Sequence, residues 1–146
     1  MALQRWSRLL PGLWAGWLLC VALLATPAGF ALLPQADAGR LAARMLAQEA
    51  YTSLALGVVM VLLERACVRR DGGAQFSWGF GLALGAIFCT VAGYFVIQPM
   101  MPAARLGQGP LSFGALHAIS SAFYALKCIL VMVLAWRATL SPRPSS

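Results

Sequence analysis

The chain has 146 residues, of which 61% are hydrophobic and only 10% are charged, against about 25% charged residues in an average soluble domain. A small soluble domain buries only about two-thirds of its unfolded surface, so this composition excludes a water-soluble globule, and it equally excludes a disordered chain. The formal net charge is +7, and ten of the eleven basic residues are arginines in short clusters beside apolar runs. That pattern is typical of membrane topology rather than of a nucleic-acid footprint.

The first 64 residues predict two membrane spans. Residues 1–8 form a short basic terminus, and the first span covers residues 9–33, up to Pro34. Residues 35–49 place Asp37, Arg40 and Arg44 at helical spacing, which predicts a short interfacial amphipathic segment. It leads into a second span at 45–64 that carries Glu49 inside.

The remaining chain predicts two further spans. A polar loop from Glu64 to Ser77 contains the turn sequence Asp71-Gly72-Gly73. The third span covers residues 78–98 and is expected to stop at Pro99 and Pro102, and the fourth covers residues 111–136. Residues 141–146 are expected to be a flexible tail. The fold class is therefore an all-α membrane protein, a compact bundle of four transmembrane helices within residues 9–140.

Orientation follows from the basic residues of the loops. The amino terminus, the second loop and the tail hold seven arginines, and the first and third loops hold three. The excess predicts that both termini are cytoplasmic, in a bacterial inner membrane. A cleaved signal peptide at Ala36-Asp37-Ala38 is the alternative and would leave three spans. The apolar run has 25 residues, too long for an h-region of about 7–15.

Small residues recur every four positions in three of the spans. Because lipid offers no hydrophobic drive between helices, such ridges favour close packing. We expect packing inside one bundle, with a dimerisation face as the alternative. The ridges are Gly12, Gly16 and Cys20; Ser53 and Gly57; and Gly81, Gly85, Cys89 and Gly93.

Ionisable residues at membrane depth are costly and are functional hypotheses by default. His117, Ser120, Ser121 and Tyr124 share one face of the fourth span, with Lys127 on its flank. Counting about 1.5 Å per residue from the loops places Glu49 near the depth of His117. Two interpretations stay open: a proton- or ion-handling site, or a structural polar zipper. The candidate cluster is Glu49, His117, Ser120, Ser121, Tyr124 and Lys127.

Three thiols, Cys20, Cys89 and Cys128, fall at similar estimated depths, with Met60 or Met132 nearby. Such a set suits Cu(I), but cysteine is a common small residue in packed helices and two of the three lie on the small-residue ridges, so we expect no metal and no cofactor. A bis-histidine haem within one chain is excluded by the single histidine. The sequence also lacks G-x-S-x-G, P-loop and H-E-x-x-H motifs, so no catalytic residue is predicted.

Two segments of the second half of the chain carry a shared pattern, Tyr94-Phe95-Val96-Ile97-Gln98-Pro99 and Phe113-Gly114-Ala115-Leu116-His117. The matching positions are Tyr94, Pro99, Arg105, Phe113, Leu116, His117 and Ser120. In these residues the chain, from the third span onward, resembles the small bacterial membrane proteins related to the eukaryotic transmembrane protein 205 group. The resemblance implies four helices and an uncleaved first span, and the eukaryotic relatives have been connected with metal-drug tolerance.

The sequence predicts a non-enzymatic protein of the lipid bilayer, a structural or assembly partner that is a homo-oligomer or a subunit of a membrane complex. The alternative is a small transporter or a proton- or metal-handling protein that uses Glu49, His117 and Lys127. A membrane redox protein or enzyme ranks third.

Overall fold

The computed structural model describes residues 2–70 and 77–140, and this part of the chain is almost entirely helical. Four of its helices are long and apolar enough to cross a membrane: Leu3–Leu32, Gln35–Arg70, Trp78–Arg105 and Phe113–Leu140, called spans 1 to 4 below. The predicted all-α bundle of four spans is thereby confirmed. In chain order the elements are α1 (Ala2–Leu19), a π-helical turn (Cys20–Ala25), α2 (Thr26–Leu32), α3 (Gln35–Arg70), α4 (Trp78–Thr90), a second π-helical turn (Val91–Val96), a 3₁₀ turn (Gln98–Met100), α5 (Met101–Arg105) and α6 (Phe113–Leu140).

The helices are longer than the apolar runs that predicted them. Residues 2–8 are already helical, and the predicted amphipathic segment is continuous with span 2 in α3. Residues 64–70, expected in a loop, are the last turns of the same helix, where Arg69 and Arg70 suit the negative end of the helix dipole. The predicted turn at 71–73 and the tail at 141–146 lie outside the described residues.

The third span was expected to stop at Pro99 and Pro102, and this expectation is wrong. The chain continues through a 3₁₀ turn and α5 as far as Arg105. Pro99 and Pro102 each lie in the first turn of one of these short helices. At that position the missing N–H costs nothing, because the first amides of a helix have no carbonyl partner inside it.

Each of the two π-helical turns precedes a proline-containing turn. In span 1, the Thr26 backbone N–H and the Thr26 hydroxyl both donate to the carbonyl of Val21, just before Pro27. Pro27 has no N–H, so it cannot donate the hydrogen bond that an α-helix would place there. In the π-helical turn, a carbonyl accepts from the residue five positions later instead of four. Such turns leave carbonyls available to side chains of other helices, and functional sites are frequently built at them.

The core lies between spans 1, 2, 3 and 4 in one layer of fully buried side chains. Its members are Trp14, Leu18, Met60, Ala83, Ala86 and Val131. A second, smaller cluster packs Ile97, Met101 and Leu116 toward the 106–112 connection. Many large apolar side chains on the outside remain exposed, as expected for a surface that contacts lipid.

The small-residue ridges divide into packed and open positions. A Cβ at Gly57 would lie 2.6 Å from Ile87, and one at Gly93 would lie 2.8 Å from Cβ of Phe123, so glycine is required where these spans touch. The expectation of packing inside one bundle therefore holds at these positions. It is wrong for the ridge of span 1 and for the start of the ridge of span 3. A Cβ there would meet nothing within 4 Å at Gly12, Gly16 and Gly81.

Candidate functional site: a buried ion pair between spans 2 and 4

The centre of the bundle holds an ion pair between Glu49 on α3 and Lys127 on α6. Lys127 Nζ lies 2.8 Å from Glu49 Oε1 and 2.9 Å from Oε2, and the two side chains are only 3% and 2% exposed. Lys127 stands 14 residues after Phe113 and 13 before Leu140, so it is about 20 Å from either end of α6. The pair therefore occupies the middle of span 4.

Ser53 completes the coordination of the carboxylate, and Trp14 holds Ser53 in place. Ser53, one turn after Glu49 on the same face of α3, donates its hydroxyl hydrogen to Glu49 Oε1. The indole Nε1–H of Trp14 on span 1 in turn donates to Ser53 Oγ at 2.9 Å. A polar chain thus links spans 1, 2 and 4 through the core. Within residues 2–70 and 77–140, no buried side-chain nitrogen or oxygen lacks a hydrogen-bond partner.

Tyr124 forms the wall of the site on α6. The ammonium group of Lys127 lies 4.7 Å from the centroid of its ring, a cation–π contact. Its hydroxyl donates to the backbone carbonyl of Leu18 at 2.9 Å, directly before the π-helical turn of span 1. Tyr124 therefore stabilises the charge of Lys127 and also fastens span 4 to span 1.

Ser120, one turn before Tyr124, makes the equivalent contact with span 3. Its hydroxyl donates to the carbonyl of Gly93 at 2.8 Å, within the second π-helical turn. The close approach of Gly93 to α6 brings this carbonyl within reach. Hydroxyl groups of its polar face thus join span 4 to the second π-helical turn and to the last turn of α1.

A small cavity of about 30 Å³ borders the ion pair on the side of span 3. Its lining combines polar groups with small or apolar ones. The lining residues are Leu46, Glu49, Cys89, Gly93, Tyr94, Gln98, Ser120 and Tyr124.

The structure brings four of the six predicted cluster residues around this site, namely Glu49, Ser120, Tyr124 and Lys127. His117 does not join them: it is exposed and stacks on Phe113, with ring centroids 5.9 Å apart. Ser121 is also exposed. Counting depth from loop charges had paired Glu49 with His117. The count failed because α3, at 36 residues, is longer than α6, at 28, so their ends do not mark a common plane.

Three of the positions of the family resemblance form a separate group near the 106–112 connection. Arg105 lies over the ring of Phe113, 4.6 Å from its centroid, and Phe113 stacks on His117. Leu116 is buried in the adjacent small core. Tyr94 and Ser120 belong instead to the lining of the cavity.

Sequence reasoning missed Trp14 and Ser53 as members of the site. Ser53 was assigned to a packing ridge, although its position four residues after Glu49 places both on one helix face. Trp14 gave no comparable indication, because only the fold brings span 1 against Ser53.

The three thiols of the copper hypothesis do not form one group. Cys20 is exposed, whereas Cys89 and Cys128 are buried. In the part of the chain that the structure describes, no three His, Cys, Asp or Glu side chains are arranged to hold a metal ion. Burial explains Cys89 and Cys128 as small hydrophobic residues of the packed helices.

Comparison with known proteins gives one family. No curated protein and no solved structure matches the chain. The family described as Domain of unknown function (DUF4149) matches residues 9–109, which is 101 of the 146 positions. The matched region contains spans 1 to 3 almost completely, with Glu49 and the lining residues of span 3, while Lys127 lies beyond it. The chain therefore belongs to the DUF4149 family, a family of uncharacterised proteins, and it is a member with four membrane-spanning helices.

Proposed function

We propose that this protein is a non-enzymatic, multi-pass membrane protein whose Glu49–Lys127 pair clamps the bundle, and that it acts as a structural or assembly partner in a membrane complex. The observation that carries the proposal is the burial of the ion pair: each charged group is nearly completely buried and contacts the other. The adjacent cavity of about 30 Å³ is far below the roughly 300 Å³ of a small-molecule site. The geometry around the ion pair favours fixing helices over binding a substrate there.

The proposal extends to location and relatives. Seven arginines on one set of segments and three on the other support cytoplasmic termini in a bacterial inner membrane. The residues shared with the transmembrane protein 205 group support a distant relation to it. A periplasm-specific reporter fused after Ser146 should be inactive, and activity would place the carboxyl terminus on the other side.

The assembly role is tested by isolating the tagged full chain from native membranes in a mild detergent. We expect a membrane protein in fixed stoichiometry with it, or a defined oligomer of the chain itself. A control variant, Arg40→Met, breaks only the exposed Asp37–Arg40 pair and should leave the complex intact. Isolation of the chain as a lone monomer would contradict an assembly function.

A second candidate, proton handling by Glu49 and Lys127, is favoured by one specific observation. The pair lies in the middle of a span and borders a small cavity whose lining includes polar residues. Charged groups placed there are typical of proton relays. His117, which the sequence analysis grouped with them, is exposed and contacts Phe113 instead, so this candidate uses only Glu49 and Lys127.

A further inference from the structure

A second cavity, of about 590 Å³, lies at the end of the bundle where all four spans meet. Its volume falls within the roughly 300–1,000 Å³ of small-molecule sites. The start of span 1, the end of span 2, the start of span 3 and the end of span 4 each contribute to its lining. The charged and aromatic members of this lining are Arg8, Glu64, Trp78 and Arg137, one from each span.

The cavity lies at the more basic end of the protein. The described segments that meet there, residues 2–8, 64–70, 77–80 and 134–140, contain six arginines and one acidic residue, Glu64. The segments of the opposite end, residues 33–44 and 98–112, contain three arginines and one aspartate. The described lining holds two of the six arginines, Arg8 and Arg137, together with Glu64. Its formal net charge is therefore +1.

The carboxylate of the lining is held at the first turn of α4. The Ser77 hydroxyl donates to Glu64 Oε2 at 2.7 Å and accepts from the backbone N–H of Phe80 at 3.1 Å. A Cβ at Gly79 would lie 2.6 Å from the Glu64 carboxyl group, so glycine permits this close approach. Glu64 thereby meets the positive end of the α4 dipole. The attraction of the cavity for an anion comes from its arginines.

Exposed tryptophans place this end of the bundle at the membrane interface. Trp6, Trp78 and Trp136 are exposed, and each lies within about 6 Å of the end of its helix on this side. Trp78 lines the cavity, and the guanidinium group of Arg137 lies 6.0 Å from the centroid of its ring. Because tryptophan is enriched at the level of the lipid headgroups, the cavity lies at the depth of the lipid phosphates.

The cavity also extends inward from that level along α6. Leu140 is exposed at the end of α6, whereas Leu134, six residues earlier and about 9 Å deeper, is buried. Both leucines line the cavity, as does Ala138 between them. Charged groups near an apolar wall suit a ligand that has a charged head and a hydrocarbon portion.

We propose that this cavity binds the headgroup of one anionic phospholipid, with Arg8 and Arg137 as the ligands of its phosphate. Arginine binds phosphate oxygens through two parallel N–H bonds. The single negative charge of a phosphodiester matches the +1 of the lining, whereas a phosphate monoester carries nearly two. The hydrocarbon chains extend along the apolar wall of α6. This inference depends neither on the Glu49–Lys127 pair nor on an assembly partner.

The binding is tested on the full chain purified in a nonionic detergent. The chain is titrated with phosphatidylglycerol or with phosphatidylcholine of the same acyl chains, and bound lipid is counted by native mass spectrometry. Both lipids contain the phosphodiester, but choline adds a positive charge. We expect one phosphatidylglycerol per chain, bound about tenfold more tightly than phosphatidylcholine, because the added cation is repelled by the positive lining.

Paired variants locate the lipid in the cavity. Arg8→Gln combined with Arg137→Gln should weaken the binding of phosphatidylglycerol about tenfold or more, since each arginine supplies a charge-assisted hydrogen bond. The matched control, Arg5→Gln combined with Arg70→Gln, removes the same charge from exposed positions of the same end that do not line the cavity. It should keep the affinity within about twofold of the wild type, because exposed charges are screened.

A steric variant tests the same cavity without removing a charge. Ala138→Phe narrows the cavity and keeps both arginines, so it should also weaken the binding of phosphatidylglycerol about tenfold. Thr139→Phe, at the exposed neighbouring position, is its control and should leave the affinity unchanged. Circular dichroism checks the folding of every variant, and this second pair decides the question if the arginine variant does not fold.

Three results would overturn the inference. Equal losses of affinity in the cavity variants and their controls would indicate a general attraction to the basic end. Equal affinity for the two lipids would show that the cavity does not select an anionic headgroup. Displacement of phosphatidylglycerol by an equal concentration of inorganic phosphate would assign the cavity to a free anion instead of a lipid.

Discussion

Replacing Lys127 by methionine should destabilise the bundle strongly. The change removes both hydrogen bonds to Glu49 and the cation–π contact with Tyr124, and it leaves a carboxylate that is only 2% exposed. Breaking a buried pair at one partner costs about 3–5 kcal/mol. Because Glu49 escapes part of this cost by taking up a proton, we expect a value near the lower end, about 3 kcal/mol.

The double variant Glu49→Gln with Lys127→Met removes both charges and keeps an acceptor for Ser53. It should recover most of the loss and lie within about 1 kcal/mol of the wild type, because the desolvation penalty of both ions disappears. The free energies of unfolding are measured by titration with a denaturing detergent, followed by circular dichroism. Trp14, buried beside Ser53, provides a second optical probe.

The exposed pair between Asp37 and Arg40 provides the internal control. Its side chains are 45% and 81% exposed, and it joins residues three apart on one helix. Such pairs contribute at most about 1 kcal/mol, so Arg40→Met should change stability by no more than that. A Lys127→Met variant that costs no more than Arg40→Met, or a double variant as unstable as the sum of its parts, would refute the clamp.

Three further predictions follow from contacts elsewhere in the bundle. Gly57→Ala should lower the stability by about 1–3 kcal/mol, because its Cβ would lie 2.6 Å from an isoleucine of span 3. Gly16→Ala, with open space around it, should be neutral or stabilising by up to about 1 kcal/mol. Equal melting temperatures of the Gly57→Ala and Gly16→Ala variants would contradict the close packing of Gly57 against span 3. Tyr124→Phe should cost about 1 kcal/mol through the lost bond to span 1, and an unchanged melting temperature would argue against that bond. A membrane-permeant maleimide should modify Cys67, three residues before the end of α3, faster than the buried Cys89 in the folded protein. Equal rates of modification, measured by mass spectrometry, would show that the core is open.

The sequence was informative where a property is local. Hydropathy predicted four spans, and the low charge content isolated Glu49 and Lys127 as ionisable groups inside them. The helical repeat also placed Ser120 and Tyr124 on one face. Helix ends were less predictable, because charged residues such as Glu64 and Arg65 end an apolar run without ending the helix.

The partners of these groups depended on tertiary structure. Neither the contact of Glu49 with Lys127, 78 residues apart, nor that of Trp14 with Ser53, 39 apart, follows from spacing. The acceptors for Ser120 and Tyr124 are backbone carbonyls, one in a π-helical turn and one in the last turn of α1, and a backbone acceptor leaves no side-chain pattern. His117 shows the opposite error, since its place on the polar face of a helix did not bring it to the site.

The most direct test of the account is the contact between Lys127 and Glu49 in a lipid bilayer. In a Glu64→Gln background, ¹⁵N-lysine and ¹³C-glutamate each label one side chain, and their dipolar coupling measures the separation by solid-state magnetic resonance. The account predicts strong coupling at neutral pH, as expected for Nζ–Oε distances of 2.8 and 2.9 Å. Absence of coupling in the folded protein would contradict the ion pair and both functions proposed for it.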